Sequence, residues 1–106
     1  MADFPILTDE NFASEVKDHK GVAVVDFFGE WCPPCKVFAP VFKAFAAAHP
    51  EVKCVKAEVG GVPGTASELG IMAVPTTVFF KDGAPAGALQ GAVNQDTLEE
   101  ALAKVG

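Results

Sequence analysis

The sequence predicts an α/β fold in which a central mixed β-sheet is flanked by helices on both faces. Three observations predict it. Val22 to Phe28 reads VAVVDFF, apolar at both alternating sets of positions except at Asp26, as a strand covered on both sides requires. Segments of strand-like and helix-like periodicity alternate along the chain in the order βαβαβαββα. Half of the 106 residues are hydrophobic and 21% are charged. That mixture can fill one core, so residues 1–106 are expected to form a single domain.

Each element has its own signal. Phe4 to Leu7 is a short apolar run that begins the series. Thr8 suits a helix N-cap, with Asp9 and Glu10 in the first turn and Phe12 and Val16 on one apolar face before Gly21. After the strand Val22–Phe28 and a loop, a helix is predicted from Pro34 to Ala48. Its stripe is Phe38, Val41, Phe42 and Phe45, and Pro40 should kink it. Val52–Val59 reads as a strand, and Gly60, Gly61, Pro63 and Gly64 break it. A short helix near Thr65–Leu69 stops at Gly70. Thr76–Lys81 is a strand, Asp82-Gly83 a hairpin turn, and Ala86–Gln90 its returning partner. Asn94 caps a last helix, Gln95–Val105, striped by Leu98, Ala101, Leu102 and Val105.

Composition narrows the function. Eight lysines and arginines against fourteen acids leave a net charge of −6, which repels phosphate backbones and speaks against a nucleic-acid partner. No run approaches the ~18 apolar residues of a membrane span. The opening MADFPILTDE carries Asp3 and no basic residue, unlike a secretory leader, so a cytoplasmic location is expected. Three cysteines, an odd number, do not make the closed disulfide framework of a secreted mini-domain.

Trp31-Cys32-Pro33-Pro34-Cys35 is the most informative stretch. Cysteines three apart in a helix lie on one side, with Cβ atoms about 5–6 Å apart. A disulfide needs roughly 3.5–4.5 Å, a modest distortion of the first turn. Prolines are tolerated there because the N–H groups they lack have no intrahelical partner. Cys32, at the helix N-terminus, is favoured as thiolate and hence as nucleophile, and Cys35 as resolving thiol. Cys32 would attack a substrate disulfide, and Cys35 would displace the substrate thiol from the mixed disulfide.

The residues alone leave alternatives open. A zinc site needs four ligands, and the remaining candidates are Cys54, His19 and His49, with no second close pair. Both histidines are expected to be exposed near helix ends. Cys54 reads most simply as a small buried apolar residue. Asp26 is an acid in an apolar strand, where burial would raise its pKa. An exposed strand position is its plainer alternative.

The run Val24-Val25-Asp26-Phe27-Phe28-Gly29-Glu30-Trp31-Cys32-Pro33-Pro34-Cys35-Lys36, followed by Pro40, closely resembles the active-site signature of thioredoxins. The match continues through Pro63-Gly64-Thr65-Ala66, Gly70-Ile71, Val74-Pro75-Thr76, Phe79 to Gly83 and Gly91-Ala92, essentially the whole chain. The resemblance implies the thioredoxin fold and a protein-disulfide reductase working through Cys32 and Cys35. It implies a buried Asp26 that assists proton movement at the resolving thiol, and Lys56 as the lysine beside that acid. It implies a cis Pro75 facing the cysteines, and a substrate groove shared by Trp31, Pro33, Pro34, Val74, Pro75 and Gly91, where a side chain at Gly91 would obstruct approach. It further implies a monomer with no bound metal or cofactor of its own; because no nucleotide motif is present, electrons must arrive from a partner. Its electrons would come from NADPH through a thioredoxin reductase and pass to disulfide-containing protein substrates.

The chain also departs from the family's common pattern. Pro33-Pro34 stands where Gly-Pro is usual, a form shared with cytosolic plant thioredoxins and tryparedoxin-like proteins. It bears on redox potential and partner choice, because Pro33 removes an N–H donor near the Cys32 sulfur. Phe28 replaces a second tryptophan, and Gly60 an acid. Oxidants and isomerases of the same fold usually carry His between the cysteines, which this chain lacks.

Overall fold

The computed structural model describes residues 4–106; Asp3, cited above against a leader, lies outside them. β1 (Val22–Phe28) is the second strand of a four-stranded sheet ordered β2-β1-β3-β4, with β2 at Lys53–Glu58, β3 at Thr76–Lys81 and β4 at Ala84–Gln90. β1 runs parallel to β2 and antiparallel to β3, and β3 and β4 form a hairpin. The sheet is therefore mixed, as expected.

The pleat of β1 divides the core in two. Ala23, Val25 and Phe27 face Leu7, Phe12 and Val16 on one side, with Val62 from the start of α2 (Pro63–Leu69). Val24 faces Phe38, Phe42 and Phe45 of α1 (Pro33–Ala48), together with Leu98 of α3 (Gln95–Val105), on the other. Helices thus cover both faces. Asp26 is two residues from Val24, so it belongs to the α1 side.

Several boundaries differ from the sequence reading, each for a local reason. The first predicted strand shrinks to one bridge between Ile6 and Lys56, closed by Leu7 N–H to the Lys56 carbonyl at 2.9 Å. Pro5 has no N–H with which to extend the ladder. The helix expected after Thr8 is a turn followed by a π-helical segment, Ala13–Lys17. The N-cap of that segment is Phe12, not the expected Thr8, which instead closes the preceding turn: Asn11 N–H donates to Thr8 Oγ1 at 3.3 Å, and Thr8 N–H to Asn11 Oδ1 at 2.8 Å. Asp9 instead reaches α2, where its carboxylate accepts the Gly64 and Thr65 N–H groups, both at 3.0 Å.

β2 is one residue shorter at each end than predicted. α1 and α2 each start earlier, at prolines whose missing N–H suits a first turn. α1 continues through Pro40, which lies on its exposed side. β4 starts at Ala84, two residues before the expected Ala86, with a bulge opposite Phe79–Phe80. At the hairpin, Asp82 (φ +50°) and Gly83 (φ +86°) both take the positive φ such a turn demands. A Cβ on Gly83 would collide with the Lys17 carbonyl.

Candidate active site

Cys32 is the N-cap of α1, in extended conformation (φ −122°, ψ 99°), and Pro33 and Pro34 form the first turn. An N-cap side chain satisfies N–H groups that the helix leaves unpaired. Here the acceptor is sulfur: Cys35 N–H donates to Cys32 Sγ at 3.1 Å. The two prolines supply no N–H, so Cys35 is the first residue of the helix with one to give. Cys32 and Cys35 are joined as a disulfide with Cα atoms 5.2 Å apart. Both are buried, whereas the adjoining Trp31 is 90% exposed. The tryptophan belongs to the rim of the site, not to the core.

The loop before β3 closes the other side of Cys32. The Val74–Pro75 bond is cis, where sequence alone favours trans. The Val74 carbonyl oxygen lies 3.7 Å from Cys32 Sγ. Pro75 is buried, and its carbonyl accepts Gly91 N–H at 2.8 Å. Gly91 holds φ +93° with nothing within 4 Å of a Cβ built there. Its backbone conformation accounts for the glycine within this chain, and the space beside it is open. Val74, Pro75 and Gly91 thus form one bonded stack next to Cys32.

Gly29 was not singled out from sequence, yet a Cβ there would stand 3.3 Å from Val74 Cγ2 and 3.6 Å from Cys32 Cβ. A glycine between a buried strand and the cysteine pair was the available signal. Met72, on the same loop as Val74, is 89% exposed.

Beneath the helix, Asp26 is only 1% exposed. Burial pushes its pKa up to about 6, and the charge and hydrogen bond of Lys56 offset part of that rise. Lys56 Nζ stands 3.6 Å from Oδ2, while Oδ1 has no hydrogen-bond partner. Lys56 is held by its register opposite Asp26 and by the Phe28 ring, 4.8 Å from Nζ to centroid. Neither an exposed strand Asp nor a surface lysine describes this pair. Lys56 and Cys35 line the same depression of about 260 Å³.

Of the remaining zinc candidates, His49 is bonded to carboxylates and Cys54 lies against the core. His49, expected to be exposed, has a side chain only 19% exposed. Its ring bonds Glu99 through Nε2 at 2.6 Å and Glu51 through Nδ1 at 3.1 Å. Cys54 is half-buried against the α1 side of the core, and burial, with the nearby Glu51 charge, pushes its thiol up to about 12. Among the described residues no group of three or more His, Cys, Asp or Glu is placed to hold a metal.

A buried cysteine pair capping a helix, a backbone carbonyl facing its outer sulfur and a buried acid below define a dithiol–disulfide exchange centre. The Thioredoxin family model matches residues 3–104. A thioredoxin of Alicyclobacillus acidocaldarius is 43% identical over 100 residues, covering 93% of this chain and 94% of the relative. A thioredoxin of Chlamydia muridarum is 36% identical over 99 residues, covering 93% and 95%. One of Staphylococcus aureus is 38% identical over 99 residues, covering 92% and 93%. The chain belongs to the thioredoxin family. It is a thiol–disulfide oxidoreductase that reduces protein disulfides by reversible dithiol–disulfide exchange through Cys32 and Cys35.

Proposed function

We propose that Cys32 is the attacking thiolate, Cys35 the resolving thiol, and Asp26 the proton acceptor for Cys35, with Lys56 setting the acid's charge. The observation that carries this division of labour is the N-cap: the Cys35 N–H aimed at Cys32 Sγ favours negative charge on that sulfur. In the exchange, Cys32 S⁻ forms a bond to one substrate sulfur and the second leaves as thiolate. Cys35 loses its proton to Asp26 and attacks Cys32 Sγ. The Cys32–Cys35 disulfide closes and the remaining substrate sulfur departs, so the substrate gains two electrons and the chain loses two.

Trp31, Pro33 and Pro34 form one wall of the substrate groove in this reading, and Val74, Pro75 and Gly91 the other. The Val74 carbonyl beside Cys32 Sγ supports it. A bound cofactor is not needed. NADPH, acting through a thioredoxin reductase, restores the dithiol, and the working form is a cytoplasmic monomer of one domain.

Two measurements test the reading. Cys32→Ser should abolish reduction of a protein disulfide with dithiothreitol as donor, while Cys35→Ser should accumulate a mixed disulfide through Cys32. The reverse pattern would exchange the two roles. Equilibration with glutathione should give a potential near or below about −250 mV, whereas a value above roughly −180 mV would make the chain an oxidant or isomerase.

A further inference from the structure

A trough made of two joined depressions runs along α1. One part, about 420 Å³, has an apolar floor of Phe4, Ile6, Ala39 and Pro40 beneath Lys43 and Lys56. It shares Ala39 and Lys56 with the depression that reaches Cys35, where Lys36 adds a third ammonium. Glu30 is the one carboxylate lining either part, and Asp26 lies buried behind Lys56.

The charge distribution is uneven. The chain carries −6 overall on eight basic residues, yet three of them line this one trough. Lys17 and Lys53 elsewhere are tied to Glu68 and Glu15, at 3.2 and 2.9 Å. Lys36 and Lys43 are exposed, and neither forms an ion pair among the described residues. Ile6, on the floor, is 52% exposed. Two cations without an ion-pair partner among the described residues, and a third shared with buried Asp26, lie beside exposed apolar surface on an otherwise acidic molecule, an arrangement complementary to a segment that mixes acidic and apolar side chains.

We infer that this trough docks an acidic, partly apolar stretch of the disulfide-bearing polypeptide, extending the substrate contact beyond the groove along the α1 flank. The inference rests on the proposed function and names a substrate class for it. Continuity with Cys35 supports the occupant: a chain entering the exchange centre from this side passes Lys43 and then Lys36.

The test uses two peptides with the same disulfide loop, one followed by a Glu-rich apolar tail and one by its Gln counterpart, reduced by the full chain with dithiothreitol as donor. The wild type should show the lower KM for the acidic peptide, and the preference should fade as salt is raised. Lys43→Glu should raise that KM about fivefold, with kcat, the reduction potential and the Gln-peptide KM unchanged. Lys43→Arg should retain the preference. Lys104→Glu, the same charge change on α3, should leave it intact. Equal KM values for both peptides in the wild type, or a Lys104→Glu effect as large as that of Lys43→Glu, would overturn the docking surface. Failure of the wild type to reduce either peptide would instead overturn the proposed function.

Discussion

Asp26 and Lys56 are register partners on the parallel strands β1 and β2, and the lysine Nζ stands 3.6 Å from the single carboxylate oxygen it contacts. One ammonium, itself 18% exposed, does not offset the burial of a carboxylate whose second oxygen is unpartnered. The acid therefore keeps a raised pKa despite a cation at its side, which suits it to take and return a proton near neutral pH.

The same pair sets a pH dependence of stability. Asp26 titrates at about 6 in the folded chain, against an ordinary value of 3.8. The folded state binds this proton more tightly, so the stability that Asp26 contributes is complete below 3.8 and is lost as pH rises through about 6. Asp26→Asn should gain roughly 3 kcal/mol near pH 8 and almost nothing near pH 3.5, read from urea unfolding of the oxidised protein. An equal gain at both pH values would show that the charge is not the cause.

Cys54 should be nearly inert. With its thiol pushed up to about 12, the thiolate fraction near pH 8 is about 10⁻⁴, so iodoacetamide should label it on the order of a thousandfold more slowly than an exposed cysteine. The oxidised protein, in which Cys54 is the one free cysteine, is the form to use. Labelling at the rate of a free thiol would mean that Cys54 is accessible and available for regulation.

His49 ties the end of α1 to α3. Burial lowers its pKa, but the hydrogen bonds and charges of Glu99 and Glu51 outweigh that and hold it above 6.5. Its contribution to stability is therefore complete below 6.5 and lost as pH rises through the folded value. Glu99→Gln should cost more stability near pH 5.5 than near pH 8.5 in paired thermal melts. A cost independent of pH would show that the imidazolium charge takes no part.

Gly83 and Gly70 both have positive φ but differ in surroundings. A Cβ at Gly70 meets nothing within 4 Å, whereas at Gly83 it runs into the Lys17 backbone. Gly70→Ala should cost about 1 kcal/mol, from the left-handed conformation alone. Gly83→Ala should cost about 3 kcal/mol or more, because the hairpin must also move. Denaturant melts of the two variants should separate the two effects.

Legibility in the sequence followed the range of the interactions. β1, β3 and α3 were read to the residue because each has a long apolar pattern bounded by a cap or turn residue in its own segment, such as Asn94, whose Oδ1 accepts Thr97 N–H at 2.9 Å. The segment after Thr8 was harder. Phe12 and Val16, four apart, satisfy an α-helix and a π-helical turn equally well. Asp9 has the position of a first-turn acid in its own segment, but its true partners, Gly64 and Thr65, lie 55 and 56 residues away. Ala84 and Pro85 carry little strand propensity, so β4 begins earlier than its sequence suggests.

The cysteine pair, its helix and the chemistry of exchange were determined by the sequence itself, because five adjacent residues and one helix start contain everything that reading uses. Only the tertiary structure decided what surrounds the pair. The Val74 carbonyl comes to Cys32 from 42 residues away. The ammonium beside Asp26 comes from a neighbouring strand, and the packing of Phe4 against Phe42 of α1 brings that helix's lysines beside Phe4, Ile6 and Lys56. Local propensity reports on a residue's own dihedrals and next turn. Burial, electrostatic shifts and groove walls are sums over neighbours that no window of sequence contains.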